Sequence, residues 1–95
     1  EFRRVLFRSS YNKIMIFIDG DDAEQVDYAL KRAKTDIVRH KIILVRGNII
    51  DLMTRFKLRM YFDQKGILSK HFSLEKFPTV ISRDGDELKI EEIRI

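Results

Sequence analysis

The chain has 95 residues, 44% hydrophobic and 11% aromatic, with 19 Lys+Arg against 15 Asp+Glu and a formal net charge of +4. A chain of this size buries roughly 60–65% of its unfolded surface, enough for one core and not two, and its apolar content argues against a wholly disordered chain. The absence of cysteine excludes disulfides, thiolate metal sites and cysteine nucleophiles, and no apolar run approaches the roughly 20 residues of a membrane-spanning helix.

The segment from Glu1 to Ser9 has no turn signal and no clear period, and Val5-Leu6-Phe7-Arg8-Ser9 looks like a short sequencing adapter read in frame. The competing reading is a basic amphipathic arm for anionic lipid or nucleic acid. The adapter reading is preferred, so 1–9 is set aside from the fold and 10–95 is expected to form one domain. These nine residues hold three Arg and one Glu, which leaves 16 basic against 14 acidic side chains in the rest. They are interleaved along most of the chain, unlike the one-sided basic face of a nucleic-acid reader.

Lys13 to Ile18 is a continuous apolar run of strand length, suited to a strand buried on both faces. It stops at Asp19-Gly20-Asp21-Asp22, and a helix follows whose apolar stripe is Val26, Leu30, Ala33 and Ile37. Asp21 with Glu24, or equally Asp22 with Gln25, suits its N-cap, and Lys31, Arg32 and Lys34 suit its last turn. Ile42 to Val45 is the second buried strand, ended by Gly47. Asn48 caps a second helix with Ile49, Leu52, Met53 and Phe56 as its inner face.

Met60-Tyr61-Phe62 is a short extended piece. Asp63 caps a third helical segment running through Phe72, with Leu68 and Phe72 as inner anchors, although Gly66 weakens the helix early. Thr79 to Ile81 after Pro78 is the third strand. Arg83-Asp84-Gly85-Asp86 is a hairpin turn centred on Asp-Gly, and Leu88, Ile90 and Ile93 alternate along the fourth strand. The order β-α-β-α-(α)-β-β predicts an α/β fold with a mixed sheet, its first two strands parallel and its last two antiparallel.

Asp19-Gly20-Asp21 at the end of a buried strand has a sharp reading and a plain one. The sharp reading is a Mg²⁺-dependent phosphohydrolase, in which Asp19 and Asp21 bind the metal and one attacks phosphorus. The plain and preferred reading is a turn that Gly20 permits and an aspartate that caps the helix. His40 and His71 are the only histidines, too few for the convergent ligands of a zinc site. Arg55, Lys57 and Arg59 with Tyr61 and Phe62 suggest single-stranded nucleic acid, but the interleaved Met53, Phe56 and Leu58 fit an amphipathic helix end better. No catalytic residue, metal or cofactor is expected.

The stretch from Phe72 to Gly85, with an apolar residue directly before Pro78-Thr79, then a strand and an Asp-Gly turn, resembles the thioredoxin fold. That resemblance implies a cis Phe77–Pro78 bond. It also places the redox site of the fold at Asp19 to Asp22, where there is no cysteine for thiol–disulfide exchange.

A narrower resemblance covers nearly the whole body. Phe17-Ile18-Asp19-Gly20-Asp21-Asp22, Lys41 to Gly47, Tyr61-Phe62-Asp63-Gln64-Lys65-Gly66 and Phe77-Pro78 look like the C-terminal region of the TraW family of F-type conjugative type IV secretion systems. Thr79 departs from the alanine frequent there. The resemblance implies a C-terminal fragment of a longer, periplasmic, non-enzymatic component needed for pilus assembly. Its signal peptide would lie outside this chain, it would not insert in the membrane, and its partners would include TrbC, of similar architecture. The thioredoxin-like fold, in which the loop before the first helix lies beside the loop before the proline, further implies a partner-binding surface framed by Gly20, Asp21 and Asp22 and by Phe77, Pro78 and Thr79, with Tyr61, Phe62, Asp63 and Gln64 adjacent.

Overall fold

The computed structural model describes residues 2–6 and 12–95. Among them a six-stranded mixed sheet carries three α-helices. The strands are β1 (Phe2–Leu6), β2 (Ile14–Asp19), β3 (His40–Arg46), β4 (Met60–Phe62), β5 (Thr79–Asp84) and β6 (Glu87–Glu92). The helices are α1 (Ala23–Ala33), α2 (Ile49–Phe56) and α3 (Ile67–His71).

Across the sheet the strand order is β1-β6-β5-β2-β3-β4. β2, β3 and β4 run parallel, while β5 is antiparallel to β2, β6 to β5, and β1 to β6. The parallel strands therefore all end at one edge of the sheet, where the loops into α1, α2 and α3 begin. The pairing of Phe17 with Thr79 brings the start of β5 to that same edge. The Phe77–Pro78 peptide bond there is cis.

Two apolar layers flank the sheet. Ile16, Ile18, Ile42 and Leu44 pack under Val26, Ala29, Leu30 and Ala33 of α1 and Leu52 of α2. On the other face, Met15, Phe17, Ile43, Ile81, Leu88 and Ile90 pack with Phe72 and the half-buried Leu74 and Phe77. The continuous apolar runs read as doubly buried strands are what this arrangement needs, because successive residues point to opposite covered faces.

Several details depart from the sequence expectation. The stripe of α1 ends at Ala33, and Ile37 lies beyond the helix, 54% exposed. Phe56 is half open and Leu68 is 36% exposed, so neither is an inner anchor, whereas Phe72 is buried. The third helical segment is broken: a 3₁₀ turn at Gln64–Gly66 leads into α3, with Gly66 at φ +67 between them. The hairpin loop is Gly85-Asp86, one residue later than expected, because Asp84 still pairs with Glu87. Ile93 follows β6 and packs on the α1 side, opposite in parity to Leu88 and Ile90.

Phe2–Leu6, set aside on sequence grounds, forms β1 along β6, while 1 and 7–9 of that segment lie outside the described residues. An open edge such as that of β6 will pair with any adjacent extended segment, whatever its origin. Arg3 donates to the Phe72 carbonyl, and Arg4 pairs with Asp84 across the exposed hairpin. The hydrogen bond from Arg4, reinforced by its charge, holds the Asp84 carboxyl below its ordinary pKa.

Candidate functional site

Nine of the ten residues of the expected surface lie at the edge where the parallel strands end; the Tyr61 ring instead meets Lys41 at 4.9 Å and lines a hollow with Lys13, Val38 and His40, where β2 and β3 begin. The acidic turn is built on Asp19, the last residue of β2. Its Oδ1 accepts from the Asp21 backbone N–H at 2.9 Å, and its Oδ2 pairs with the Arg46 guanidinium at 2.9 Å. The Gly20 N–H donates to the Arg46 carbonyl at 2.7 Å, which ties the turn after β2 to the end of β3. Both crossings need glycine. A Cβ on Gly20 would stand 2.7 Å from the Arg46 carbonyl oxygen, and one on Gly47, at φ +113, would stand 2.9 Å from the Gly20 Cα.

Asp22, not Asp21, caps α1. Its Oδ1 accepts from the N–H groups of Glu24 and Gln25 at 3.0 and 3.4 Å, and its Oδ2 accepts from the Gln25 side-chain amide at 3.2 Å. The Gln25 amide oxygen accepts from the Asp19 N–H at 2.8 Å, so cap and turn lock each other. Asp21 is exposed, and its carboxylate has no hydrogen bond or ion pair among the described residues. The pair expected for phosphoryl transfer is thus unequal. Asp19 is committed to Arg46 and to the turn, and only Asp21 presents an open carboxylate.

The other expected residues divide by burial. Thr79 is fully buried, with its hydroxyl donating to the Lys76 carbonyl at 2.5 Å, and Pro78 has almost no exposed surface. Asp63 is 4% exposed, and its carboxylate accepts from the N–H groups of Leu68 and Ser69 at 2.8 and 2.9 Å. It therefore caps α3 across the intervening 3₁₀ turn. These three shape the edge but cannot offer side chains to a partner, which corrects their place in the expected surface. Gly20, Asp22, Phe62 and Phe77 are half-buried, and Asp21, Tyr61 and Gln64 are exposed.

The edge does not form one continuous groove through these residues. Gly20 and Asp21 line the mouth of a cleft of about 350 Å³ between α1 and α2, whereas Phe77 lines a separate hollow with Lys76, Glu92, Ile93 and Arg94. The inter-helix cleft is the feature that sequence reasoning missed. Phe56, at an inner-face position of α2, lines it and stays partly open, which no pattern in the sequence marks.

The histidines lie apart from this edge. The His40 ring Nδ1 is 2.7 Å from the Asp36 carbonyl, and the His71 ring meets Phe72 edge to face at 4.9 Å. Of the cations whose spacing suggests nucleic acid, Arg55 pairs with Asp51 at 2.6 Å. Arg59 lies over the Tyr61 ring at 5.4 Å, with Lys41 also over that ring at 4.9 Å.

The chain is 38% identical over 85 residues to Protein TraW of Escherichia coli K12, an overlap of 87% of this chain and 40% of that protein. It thus spans about two fifths of the length of the relative it matches. No protein-family model matches it, and no solved structure does.

Proposed function

We propose, taking the kinship with TraW as the premise, that this chain is the C-terminal domain of a TraW-type component of an F-type conjugative type IV secretion system. It acts in the periplasm, in pilus assembly, by docking other assembly proteins such as TrbC rather than by catalysis. The observation that carries the reading is the 38% identity over most of the chain. Among the described residues no helix is long and apolar enough to cross a membrane.

The domain is read as thioredoxin-like without redox chemistry, and residues 1–9 as foreign to it. Two features support that fold. β2 and β3 are parallel around α1, and the run β6-β5-β2-β3 places an antiparallel strand beside β2. The docking surface is the corner of Asp21, Asp22 and Gln64, with Phe62 and Phe77 at its margins, Pro78, Thr79 and Asp63 holding the backbone beneath, and Tyr61 standing apart from it.

The test is a binding titration of the full-length TraW-type protein with TrbC. Asp21→Arg combined with Gln64→Arg should weaken binding at least about tenfold, the effect of roughly 1.4 kcal/mol. Unchanged affinity would remove the corner from the interface.

A further inference from the structure

We infer that this chain associates head to tail with a second copy of itself, the exposed Ile37–Val38 tip of one copy entering the cleft between α1 and α2 of the next. Tip and cleft both lie outside the proposed TrbC corner except at Asp21, and the inference does not rest on the kinship with TraW.

The cleft has an apolar floor and an acidic rim. Val26, Leu30 and Leu52 form the floor with Phe56, which is 37% exposed, and Asp21, Asp27 and Asp51 stand on the rim with one cation, Arg55. The cleft runs along both helices, from Gly20, Ala23 and Asn48 at their amino ends to Leu30 and Phe56 near their carboxyl ends, and at the amino ends the helix dipoles favour negative charge. Asp22, the cap of α1, and Asp51, in the first turn of α2, already offset those dipoles. Asp51 is also paired with Arg55. Asp21 and Asp27 remain as the charge that the mouth presents, Asp27 sharing it with the solvent-exposed Lys31 at 2.9 Å.

The tip has the opposite make-up. Val38 is 73% and Ile37 54% exposed, in the loop between α1 and β3. Exposed Lys34 and Arg39 flank them in sequence. The Lys13 ammonium donates to the Val38 carbonyl at 2.6 Å and holds the tip in place. The hollow behind it is lined by Lys13, His40, Lys41, Arg59 and Tyr61 and, among the described residues, by no acidic side chain. Asp36 is the acid in this loop, and its Oδ1 accepts from the Arg39 N–H at 3.3 Å.

The tip and the open Asp21 carboxylate sit at opposite ends of α1, whose 11 residues span roughly 16 Å. One copy cannot satisfy itself, and a two-fold pairing of tips or of mouths would oppose like charges. The complementary contact joins unlike surfaces; repeated head to tail it extends into a chain or closes into a ring, whereas a reciprocal two-fold pairing would stop at a dimer. An anionic membrane would use the tip and leave the cleft unfilled, whereas a second copy uses both. The contact is small, below the roughly 1,200 Å² of a stable interface, so the association is transient.

The experiment is sedimentation velocity of the full chain from about 10 μM to 1 mM, the range of a weak interface. The expected result is species that grow beyond a dimer with concentration and shrink in 0.5 M salt, which shortens the screening length to roughly 4 Å. Asp21→Lys/Asp27→Lys blocks the mouth and Ile37→Ser/Val38→Ser blocks the tip, all at exposed positions, so both proteins should keep the wild-type circular dichroism and melting. Each alone should be monomeric. Mixed, they should form a one-to-one dimer and nothing larger, because each retains one intact surface. The proposal is overturned by a wild-type chain monomeric at 1 mM or by a tip-blocked variant that associates like wild type. It is equally overturned by anionic vesicles that bind the tip of a chain showing no self-association. The tip-blocked variant leaves the Asp21–Gln64 corner untouched, so its TrbC binding reports on the earlier proposal separately.

Discussion

The two ends of α1 are held by opposite means. At its amino end, the Asp19 carboxylate, the Arg46 carbonyl and the Asp22 and Gln25 side chains close a hydrogen-bonded turn around two glycines in near contact. At its carboxyl end, short backbone turns (Asp36 N–H to the Ala33 carbonyl, Arg39 N–H to the Asp36 carbonyl) carry the chain into β3 with two large apolar side chains in solvent. The first end gives up conformational freedom to present acids on a rigid edge. The second leaves an apolar tip that adds little to the stability of the monomer, which is the condition under which such residues serve a contact.

Substitution should separate the ends sharply, and the largest effect should come from Gly47. Gly47→Ala places a Cβ at φ +113 and 2.9 Å from the Gly20 Cα, with backbone on both sides and no flexible side chain to yield. A loss of about 2–4 kcal/mol is expected, which lowers the melting temperature of a domain this size by roughly 10–25 °C. A fall of only a few degrees would mean that the turn relaxes freely, and the contrast between the ends would collapse.

Asp63 gives a smaller break along the same edge. Asp63→Ala leaves the Leu68 and Ser69 N–H groups without their acceptor beneath a buried position and should cost about 1–3 kcal/mol in urea unfolding. Asp63→Asn keeps one acceptor oxygen and should fall between alanine and wild type. Equal losses for the two would show that volume, not hydrogen bonding, matters there.

What the sequence disclosed follows from how local each signal is. The apolar runs of β2 and β3, the Asn48 cap and the short strand at Met60 are set by neighbours in sequence, and the structure has them. The acidic turn is legible as a turn, but the choice of Asp22 over Asp21 depends on Gln25 reaching both the cap and Asp19, a tertiary detail. The end of α2 gives no warning, because Lys57 takes the left-handed conformation there at φ 53 where a glycine would have marked it. β1 escapes a sequence reading because its partner among the described residues, β6, lies some 80 residues away, and edge pairing leaves no period of its own. The inter-helix cleft is illegible for the same reason: its depth is set by how far apart α1 and α2 stand, not by either helix alone.

The smallest expected effect, at Ile37, discriminates most sharply between a longer and a shorter α1. A spacing of four, three and four from Val26 places Ile37 on the inner stripe, whereas the structure ends the helix at Ala33 and leaves it in solvent. An inner-stripe isoleucine truncated to alanine costs about 2–5 kcal/mol, because the surroundings close only partly over the lost atoms. An exposed one costs under about 0.5 kcal/mol. Ile37→Ala should therefore leave the urea midpoint of a dilute, monomeric sample within error of wild type. At high concentration it should weaken self-association, since the side chain matters only when a second copy covers it. A midpoint that drops in dilute solution would return Ile37 to the core, lengthen α1 by a turn, and take away the tip.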